Sequence, residues 1–542
     1  MAGEANSKRI RFLSWKMPQR GDQARELIKI MLQMGSPIVY QGGAISRLKY
    51  DELGIRAQPM NKDDLLAEIN LTTDYMVQKT EKAVDPNGNV ITNDDGEPIR
   101  RIVAVVGDVH YHAINTAFGL PWPQNGLWKL RGVLTHPIIN REGKYVVRNG
   151  LSWHDAEING MLMKNAAPEI NLADGYDPVS RYFFAVPAAV LAGLEGIESQ
   201  KPTNADLQAA IDCIEDFLCD FNFATLSARA SAIAFMLTLL CRELIDGPVP
   251  MLEVRAPESQ SGKSLLVKMM LRAITGEMPS IFAPHFKDVS EFEKELLSQL
   301  LRGKNYIFMD NVYWKVQSSF MDMALTTGYA DKRLLGANQM ATVYCGMPFV
   351  MTANNPTLSD DMKNRVYLLD INKPKEGTEF VHGQPETYAQ ERGPQLLKAL
   401  FTLYNHWDKN EGRRPFKEKR IDGFIAWSAI IGGMLQAAGH KGFLDDTIRQ
   451  IREADPKLEQ AADMARRWHE ARGSEWLRVK DTLDYSIGAG YGDKDDSCMK
   501  RIQDTASNLK KLRMKKLPGG YRFEKNLDET RESLWRVAKD DN

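Results

Sequence analysis

Three consecutive residues, Gly262, Lys263 and Ser264, have the types and the order needed to bind phosphate groups. In a Walker A motif, a loop between a strand and a helix cradles phosphates with its backbone N–H groups. The lysine reaches the β- and γ-phosphates, and the hydroxyl binds Mg²⁺. The strict motif has a glycine five residues before Gly262, where this chain has Pro257. The residues predicted to bind the nucleotide are Glu258, Ser259, Gln260, Ser261, Gly262, Lys263, Ser264 and Leu265.

An acidic residue after an apolar run supplies the second part of such a site. Residues 306–309 form a continuous apolar run, as expected for a buried parallel strand, and Asp310 follows it directly. A carboxylate at that end of a sheet is the Walker B arrangement, which holds Mg²⁺ through water. We therefore predict Ser264 and Asp310 as the metal-binding residues. The competing interpretation is an ordinary strand followed by a turn.

Two polar groups adjoin later strand-like segments. Asn354 and Asn355 follow Pro348–Thr352, where an amide would orient an attacking water. Arg365 precedes the strand-like Val366–Ile371 and could reach a γ-phosphate held by a neighbouring subunit, where it would stabilise the developing charge. Ordinary loop polarity is the alternative for either group taken alone.

These residues can meet only if strands and helices alternate along the chain. Leu252–Arg255 is a short β-prone run, and from Lys263 onward apolar residues recur at helical spacing until Gly276. Together with the later strands, this order predicts an α/β fold with the phosphate site at the carboxyl ends of a parallel sheet. The helical region 205–244 is expected to pack against this module.

The set of motifs resembles the AAA+ ATPases. The segments that carry the resemblance are APESQSGKS, IFMDNV, TTGYADKRLLGANQ and TANNPTLSDDMKNRV, with GGYRFE and SLWRV near the C-terminus. More narrowly, these segments resemble the replicative DNA helicases of mobile genetic elements, such as staphylococcal cassette chromosomes, which are related to superfamily 3 and minichromosome-maintenance helicases. The resemblance extends from about residue 204 to the C-terminus.

The resemblance implies an AAA+ P-loop core with a helical lid and a C-terminal winged helix. It also implies a hexameric, ATP-dependent DNA helicase with ATP and Mg²⁺ as cofactors. DNA would be single-stranded in the pore and duplex at the winged helix, and a primase, polymerase or single-strand-binding protein would be a further partner. Lys263, Asp310, Asn354 and Arg365 would be catalytic, as the phosphate lysine, the Walker B acid, the sensor-1 amide and the arginine finger. Asn355 is the alternative amide.

Two positions depart from the family pattern. Most AAA+ proteins have a glutamate after the Walker B acid as catalytic base, whereas this chain has Asn311, a form that occurs among superfamily-3-like helicases. Asn311 is kept among the predicted catalytic residues, but the sequence does not identify the base, for which Glu258 is a candidate. The family often has two arginines where this chain has Asn364 and Arg365, so one charge is missing.

A hairpin is expected between the strand that ends before Asp310 and the strand-like segment Pro348–Thr352. The β-prone run Met340–Cys345 resembles the pre-sensor hairpin that points into the pore of these helicases. Lys332 and Arg333 lie before it and would touch DNA or the adjacent subunit. In the lid that follows, the basic run from Lys409 to Arg420 is by default a solvated loop, with DNA or ATP contact as the alternative.

The C-terminal segment predicts a separate winged-helix domain. Its helix candidates are Trp476–Ile487 and Ser497–Lys511. A turn at Gly519-Gly520 is expected to join the strand-like segments Leu512–Leu517 and Tyr521–Glu524.

This segment is also locally basic. Between residues 500 and 525, nine basic residues stand against two acidic ones, the charge expected of a surface that binds a phosphate backbone. A solvated or protein-docking face is the alternative. The predicted DNA-binding residues of the chain are Lys332, Arg333, Lys510, Lys511, Arg513, Lys515, Lys516 and Arg522.

The chain is therefore expected to have four regions. The first is an α+β region whose role the sequence leaves open, as DNA-binding, collar or recruitment domain; it includes an expected hairpin around Gly42-Gly43 and an expected helix at Leu65–Lys79. The predicted ranges are 1–197 for this region, 204–375 for the AAA+ core with its preceding helices, 376–472 for the lid and 473–542 for the winged helix.

Composition narrows the class of protein. Hydrophobic residues make up 43% of the chain and charged residues 26%, and the formal net charge of −1 gives no general attraction to nucleic acid. The five cysteines are scattered without metal-ligand spacing, so we expect reduced thiols. Apart from His110-Tyr111-His112, whose alternation would suit a strand, the histidines at 110, 112, 136 and 154 also lack such spacing, and we expect ordinary, partly buried side chains. Neither a signal core nor a long apolar run is present in the sequence, which predicts a cytoplasmic protein without membrane contact.

Two other functions fit the same motifs. The chain could be a replication initiator, loader or switch that binds ATP and DNA without unwinding. It could also be a DNA-binding assembly that does not hydrolyse ATP, with Asn311 marking the lost step.

Overall fold

The computed structural model describes most of the chain. The described residues are 10–13, 20–51, 54–86, 89–93, 97–106, 114–117, 127–152, 156–158, 161–163, 168–284, 288–313, 318–333, 340–353, 358–375, 377–453, 456–485, 505–507, 509–510, 512–513, 517, 520–527 and 533–539. They form two units, the first ending at Phe443 and the second beginning at Leu444.

The first part of the first unit is built mainly of short strands. Its strands are β1 (Ile10–Leu13), β2 (Ile38–Gln41), β3 (Ala44–Asp51), β4 (Gly54–Pro59), β5 (Thr73–Lys82), β6 (Arg100–Val106), β7 (Gly132–Leu134), β8 (Ile138–Ile139), β9 (Tyr145–Val146), β10 (Leu151–Ser152), β11 (Ala156–Ile158), β12 (Met161–Met163), β13 (Glu169–Ile170) and β14 (Tyr182–Phe184). Its helices include Arg20–Gln33, Lys62–Thr72, Leu172–Gly175 and Ala188–Gly193.

Two predictions for this part have different outcomes. The hairpin is confirmed, because β2 and β3 pair antiparallel around Gly42 and Gly43, whose φ values of +59° and +88° suit a tight hairpin turn. The helix expected at Leu65–Lys79 is wrong in its second half, since it ends at Thr72 and the chain continues as β5. Pairing of β5 with β1 and β6 overrides the helical spacing, and the β-branched and aromatic residues of β5 favour a strand.

The second part of the first unit alternates strands and helices. Its strands are β15 (Met251–Arg255), β16 (Ile281–Phe282), β17 (Ile307–Val312), β18 (Tyr329–Arg333), β19 (Met340–Tyr344), β20 (Phe349–Ala353) and β21 (Val366–Asp370). Its helices include Asn204–Leu218, Leu226–Cys241, Lys263–Thr275, Val289–Leu301, Ser319–Thr326, Asp360–Lys363, Pro385–Asn405 and Ile425–Ala437, with shorter turns at Arg242–Leu244 and His406–Asn410.

A five-stranded parallel sheet organises this part. Its order is β16-β17-β20-β15-β21, so β20 lies between β15, which precedes Gly262, and β17, which carries Asp310. One face packs on helices Val289–Leu301 and Ser319–Thr326. On the other face, Tyr367 of β21 contacts Trp427 at 4.7 Å between ring centroids. Burial on both faces explains the continuous apolar runs of these strands, and the fold is a mixed α/β fold consistent with nucleotide binding.

The β-rich part packs directly on this sheet module. Arg131 and Glu243 form an ion pair of 2.7 Å with both side chains largely buried. The Thr135 hydroxyl donates to the carbonyl of Thr275 at 2.6 Å, at the end of the helix that follows the phosphate loop. The described β-rich part is thus attached to the sheet module by polar contacts.

The second unit has a small antiparallel sheet. Its elements are the helices Asp445–Glu453 and Pro456–Arg472, the strand β22 (Leu477–Arg478), a 3₁₀ turn at Val479–Tyr485, and the strands β23 (Tyr521–Leu527) and β24 (Ser533–Lys539). The sheet order is β22-β24-β23, and the core includes Trp468, Phe523, Trp535 and Val537.

One expectation for this unit is wrong, and another falls largely outside the described residues. The helix predicted at Trp476–Ile487 is instead β22 followed by a 3₁₀ turn, because Leu477 pairs with Trp535 at the edge of the sheet. The strands β23 and β24 pair antiparallel. Residues 514–516 and 518–519 lie outside the described residues, so the strand expected at Leu512–Leu517 stays a prediction. Gly520 belongs to a turn before the hairpin, in which the N–H of Leu517 donates to the Tyr521 carbonyl at 2.8 Å.

Candidate functional site

The loop after β15 has the conformation that the sequence predicts. Helix Lys263–Thr275 begins directly after Gly262, whose φ of +89° lies in the region that favours glycine, and it ends at Gly276 with φ of +71°. The loop therefore directs the first N–H groups of the helix outward from the carboxyl end of the sheet. The predicted strand, loop and helix are confirmed.

A cleft of about 460 Å³ lies at this end of the sheet. Its lining residues are Ser259, Gln260, Ser261, Gly262, Lys263, Ser264, Leu265, Asp310, Asn311 and Thr352. Glu258 is absent from this lining and lies 3.9 Å from Lys373 in an exposed ion pair. The fold thus brings together the loop and the acidic strand, which are far apart in sequence.

Lys263 is held inside the cleft. It is 8% exposed, and its ammonium donates to the Ser261 hydroxyl at 3.3 Å. Burial lowers the pKa of Lys263, while the charge of Asp310 opposes that shift. A phosphate group would offset the cost of burying this cation.

Ser264 and Asp310 lie in direct contact. The Ser264 hydroxyl donates to Oδ1 of Asp310 at 2.5 Å. A hydroxyl and a carboxylate are hard oxygen donors, the type that Mg²⁺ prefers, so these two residues fit the implied cation.

Thr352 is a residue of this cleft that sequence reasoning missed. It is fully buried at the end of β20 and donates to Oδ1 of Asp310 at 2.5 Å. The only sequence signal was a hydroxyl inside an otherwise apolar strand. The predicted amides Asn354 and Asn355, which follow the same strand, lie outside the described residues.

Arg365 lies at the opposite end of the sheet from the cleft. It directly precedes β21, whose first residue Val366 pairs with Met251 at the start of β15. Its guanidinium is 3.7 Å from Asp322 and 3.8 Å from Asp361, and it also donates to the Asp361 carbonyl. The fold therefore does not bring Arg365 to the cleft of its own chain.

The hairpin expected before the third strand is confirmed as β18 and β19, which pair antiparallel. Lys332 does not extend freely from it, since its ammonium lies 2.7 Å from Glu293 and 4.5 Å from the centre of the Phe320 ring. The side chain of Arg333 lies outside the described residues.

The predicted DNA-binding residues of the second unit are only partly described. Lys510 and Arg513 are exposed, and Arg522 lies 2.9 Å from Glu524. Lys511, Lys515 and Lys516 lie outside the described residues.

One other cluster within the described residues has ligand atoms close enough for a metal. The ligand atoms of Asp216, Cys219 and His382 lie within 4.8 Å of one another. The carboxylate of Asp216 accepts the Tyr388 hydroxyl at 2.7 Å, and a ring nitrogen of His382 lies 3.2 Å from the Asp216 carbonyl. These bonds satisfy the cluster without a cation, and we assign no metal to it.

No protein-family model and no curated protein matches this chain. Among solved structures, "The apo structure of NrS-1 C terminal region (305-718)" matches with 10% identity and a TM-score of 0.39, over 95% of this chain and 99% of that chain. "The A form apo structure of NrS-1 C terminal region-CTR" matches with 9% identity and a TM-score of 0.36, over 95% and 98%. "The X-ray structure of JCV Helicase" matches with 12% identity and a TM-score of 0.21, over 51% and 70%. At such TM-scores these likenesses support no inference about function.

Within the described residues, none of the helices combines the length and apolar character needed to cross a membrane.

Proposed function

We propose that this chain is an ATP-dependent DNA helicase that works as a ring of identical subunits, the hexamer that its sequence motifs imply. The observation that carries the proposal is that the predicted site residues lie at the two opposite ends of the sheet. Lys263, Ser264 and Asp310 line the cleft at one end, and Arg365 lies at the other. Since β15 is five residues long, these ends are roughly 16 Å apart.

A ring resolves this separation. If each subunit presents its Arg365 end to the cleft of the next, every site acquires an arginine that its own chain does not supply. Lys263 would bind the β- and γ-phosphates, and Ser264 and Asp310 would hold Mg²⁺, which neutralises phosphate charge when bound. Arg365 of the next subunit would stabilise the charge that develops during phosphoryl transfer, and Asn354 would orient the attacking water.

DNA contact is proposed at two places. The hairpin of β18 and β19 follows helix Ser319–Thr326, whose Asp322 contacts Arg365. A change at Arg365 would thereby reach the hairpin. As a winged helix, the second unit would provide a second surface that binds duplex DNA. Lys510 and Arg513 are exposed there.

The test is DNA-stimulated ATP hydrolysis combined with unwinding of a forked duplex. We expect Lys263→Ala to lose both activities. We expect Arg365→Ala to lower turnover by about 10³-fold or more while nucleotide affinity changes by less than about twofold. Arg141→Ala, at an exposed arginine of a turn, is the matched control.

Mixing the two inactive variants tests the shared site directly. In random rings, about one quarter of interfaces would pair an intact Lys263 with an intact Arg365, so about a quarter of wild-type turnover should return. No recovery in rings shown to be mixed would contradict a shared site. Hydrolysis without unwinding would favour a loader or switch, and ATP binding without phosphate release would favour a non-hydrolysing assembly.

A further inference from the structure

The hydroxyl of Thr352 connects two consecutive residues of the acidic strand. Thr352 is fully buried, so its hydroxyl must be satisfied by protein groups. It donates to Oδ1 of Asp310 at 2.5 Å and accepts the backbone N–H of Asn311 at 2.8 Å. One hydroxyl thus restrains both the carboxylate and the backbone that follows it.

The backbone at this point is a β-bulge. The pairing of β17 with β20 shifts between Met309 and Val312, so Asp310 and Asn311 together lie opposite Thr352. A bulge bends a strand and changes the direction of its side chains. Here it accompanies the contact between Asp310 and Ser264, whose hydroxyl also donates to Oδ1.

Asn311 has a left-handed backbone, with φ of +57°. Among residues other than glycine, asparagine and aspartate tolerate this conformation best, because their short polar side chains bond locally. A glutamate at this position would have to adopt the same conformation at greater cost. The backbone therefore gives a physical reason for asparagine at residue 311.

We propose that Thr352 is a positioning residue that orients Asp310 toward the cation, and that Asn311 serves through its backbone conformation and not as a base. This inference rests on the proposed function, since it assigns Asp310 to Mg²⁺. Loss of the Thr352 hydroxyl would release the carboxylate and remove the partner of the Asn311 N–H, while the nucleotide loop itself would remain intact.

The first experiment replaces the hydroxyl. Thr352→Val keeps the shape of the side chain, and we expect the Mg²⁺ concentration for half-maximal ATP hydrolysis to rise by about 10- to 100-fold, as is typical when a supporting partner of a metal ligand is lost. Affinity for a fluorescent ADP in EDTA should change by less than about twofold, because Lys263 and the loop are untouched. Thr352→Ser should recover most of the loss, and thermal melting shows whether each variant folds.

The second experiment separates backbone from side chain at residue 311. Glycine adopts a positive φ readily, whereas alanine does not, and neither carries an amide. We expect Asn311→Gly to retain at least about threefold more turnover than Asn311→Ala, with a higher melting temperature. Equal loss in both variants would show that the side-chain amide matters and would overturn the backbone role.

The outcomes distinguish this inference from the proposed function. If the wild type hydrolyses ATP and Thr352→Val shows an unchanged Mg²⁺ requirement, the inference fails and the function stands. If the wild-type protein neither binds nor hydrolyses ATP, both fail.

Discussion

A buried carboxylate lies on β15, the strand that leads to the loop lining the cleft. Glu253 is 1% exposed on β15, and within the described residues its Oε2 has no hydrogen-bond partner. Burial raises the pKa of Glu253 to about 7; the charge of Arg255 opposes the rise and that of Asp370 adds to it. Arg255 and Asp370 are themselves joined by two bonds of 2.8 Å. The fold therefore favours the protonated form of Glu253.

This residue should make stability depend on pH. Because the folded pKa of about 7 exceeds the ordinary value of 4.5, the protonated group favours folding at low pH, and this contribution is lost as the pH rises from about 4.5 through 7. Glu253→Gln should gain about 2 to 3 kcal/mol of unfolding free energy relative to the wild type between pH 5 and pH 8. Urea unfolding at several pH values measures it, with Glu195→Gln as exposed control. A difference that does not change with pH would contradict the assignment.

At the scale of elements, the hairpin of β23 and β24 contains arginines whose charge is partly neutralised by an acidic residue and is therefore less available to DNA. Arg522 on β23 and Arg536 on β24 both contact Glu524, at 2.9 and 2.7 Å. Both arginines lower the pKa of Glu524 through hydrogen bonds, so it stays ionised and neutralises part of their charge. Lys510 and Arg513 precede the hairpin and are exposed.

We therefore expect the predicted DNA-binding residues to contribute unequally to DNA affinity. The double variant Lys510→Ala/Arg513→Ala should reduce the slope of log affinity against log salt by about 2, because two phosphate contacts are lost. Arg522→Ala should change the slope by less than about 1, since Glu524 already screens that charge. Fluorescence anisotropy with duplex DNA between low and moderate salt tests this. Equal slopes for the double variant and the wild type would argue against DNA binding by this surface.

At the scale of the whole molecule, the N-terminal part of the first unit contacts the part that contains the five-stranded sheet. The guanidinium of Arg131 lies 3.7 Å from the ring centre of Tyr344, the last residue of β19, and pairs with Glu243. The side chain of Asn305 lies 2.9 Å from a ring nitrogen of the buried His136, whose pKa burial lowers to about 4. The part whose role the sequence left open thus contacts the end of the proposed DNA-contacting hairpin.

The rate of ATP turnover should depend on the assembly of chains into rings. If Arg365 completes the site of a neighbour, ATP turnover per chain should rise with protein concentration and level off when rings are complete. The concentration for half-maximal turnover should match the midpoint of assembly in analytical ultracentrifugation. Constant turnover per chain across a concentration range in which monomers convert to rings would show that each chain hydrolyses ATP alone.

Local features of this protein were predictable from the sequence because their physical causes are local. The turn at Gly262, the helix that follows it and the hairpin at Gly42-Gly43 depend on glycines that adopt a positive φ and on the periodicity of neighbouring residues. The apolar runs before Asp310 and Asn354 also predicted buried strands, because a parallel sheet covered on both faces excludes polar residues.

Contacts between distant segments were decided only by the tertiary structure. The strand β5 replaces the second half of an expected helix because it pairs with β1 and β6. The strand β22 likewise replaces the start of an expected helix because it pairs with β24. Thr352 lines the cleft because β20 lies next to β17. Arg365 lies at the opposite end of the sheet because it precedes β21, which runs parallel to β15. Sequence spacing carries no information about which strands are neighbours, since pairing depends on the packing of the whole sheet.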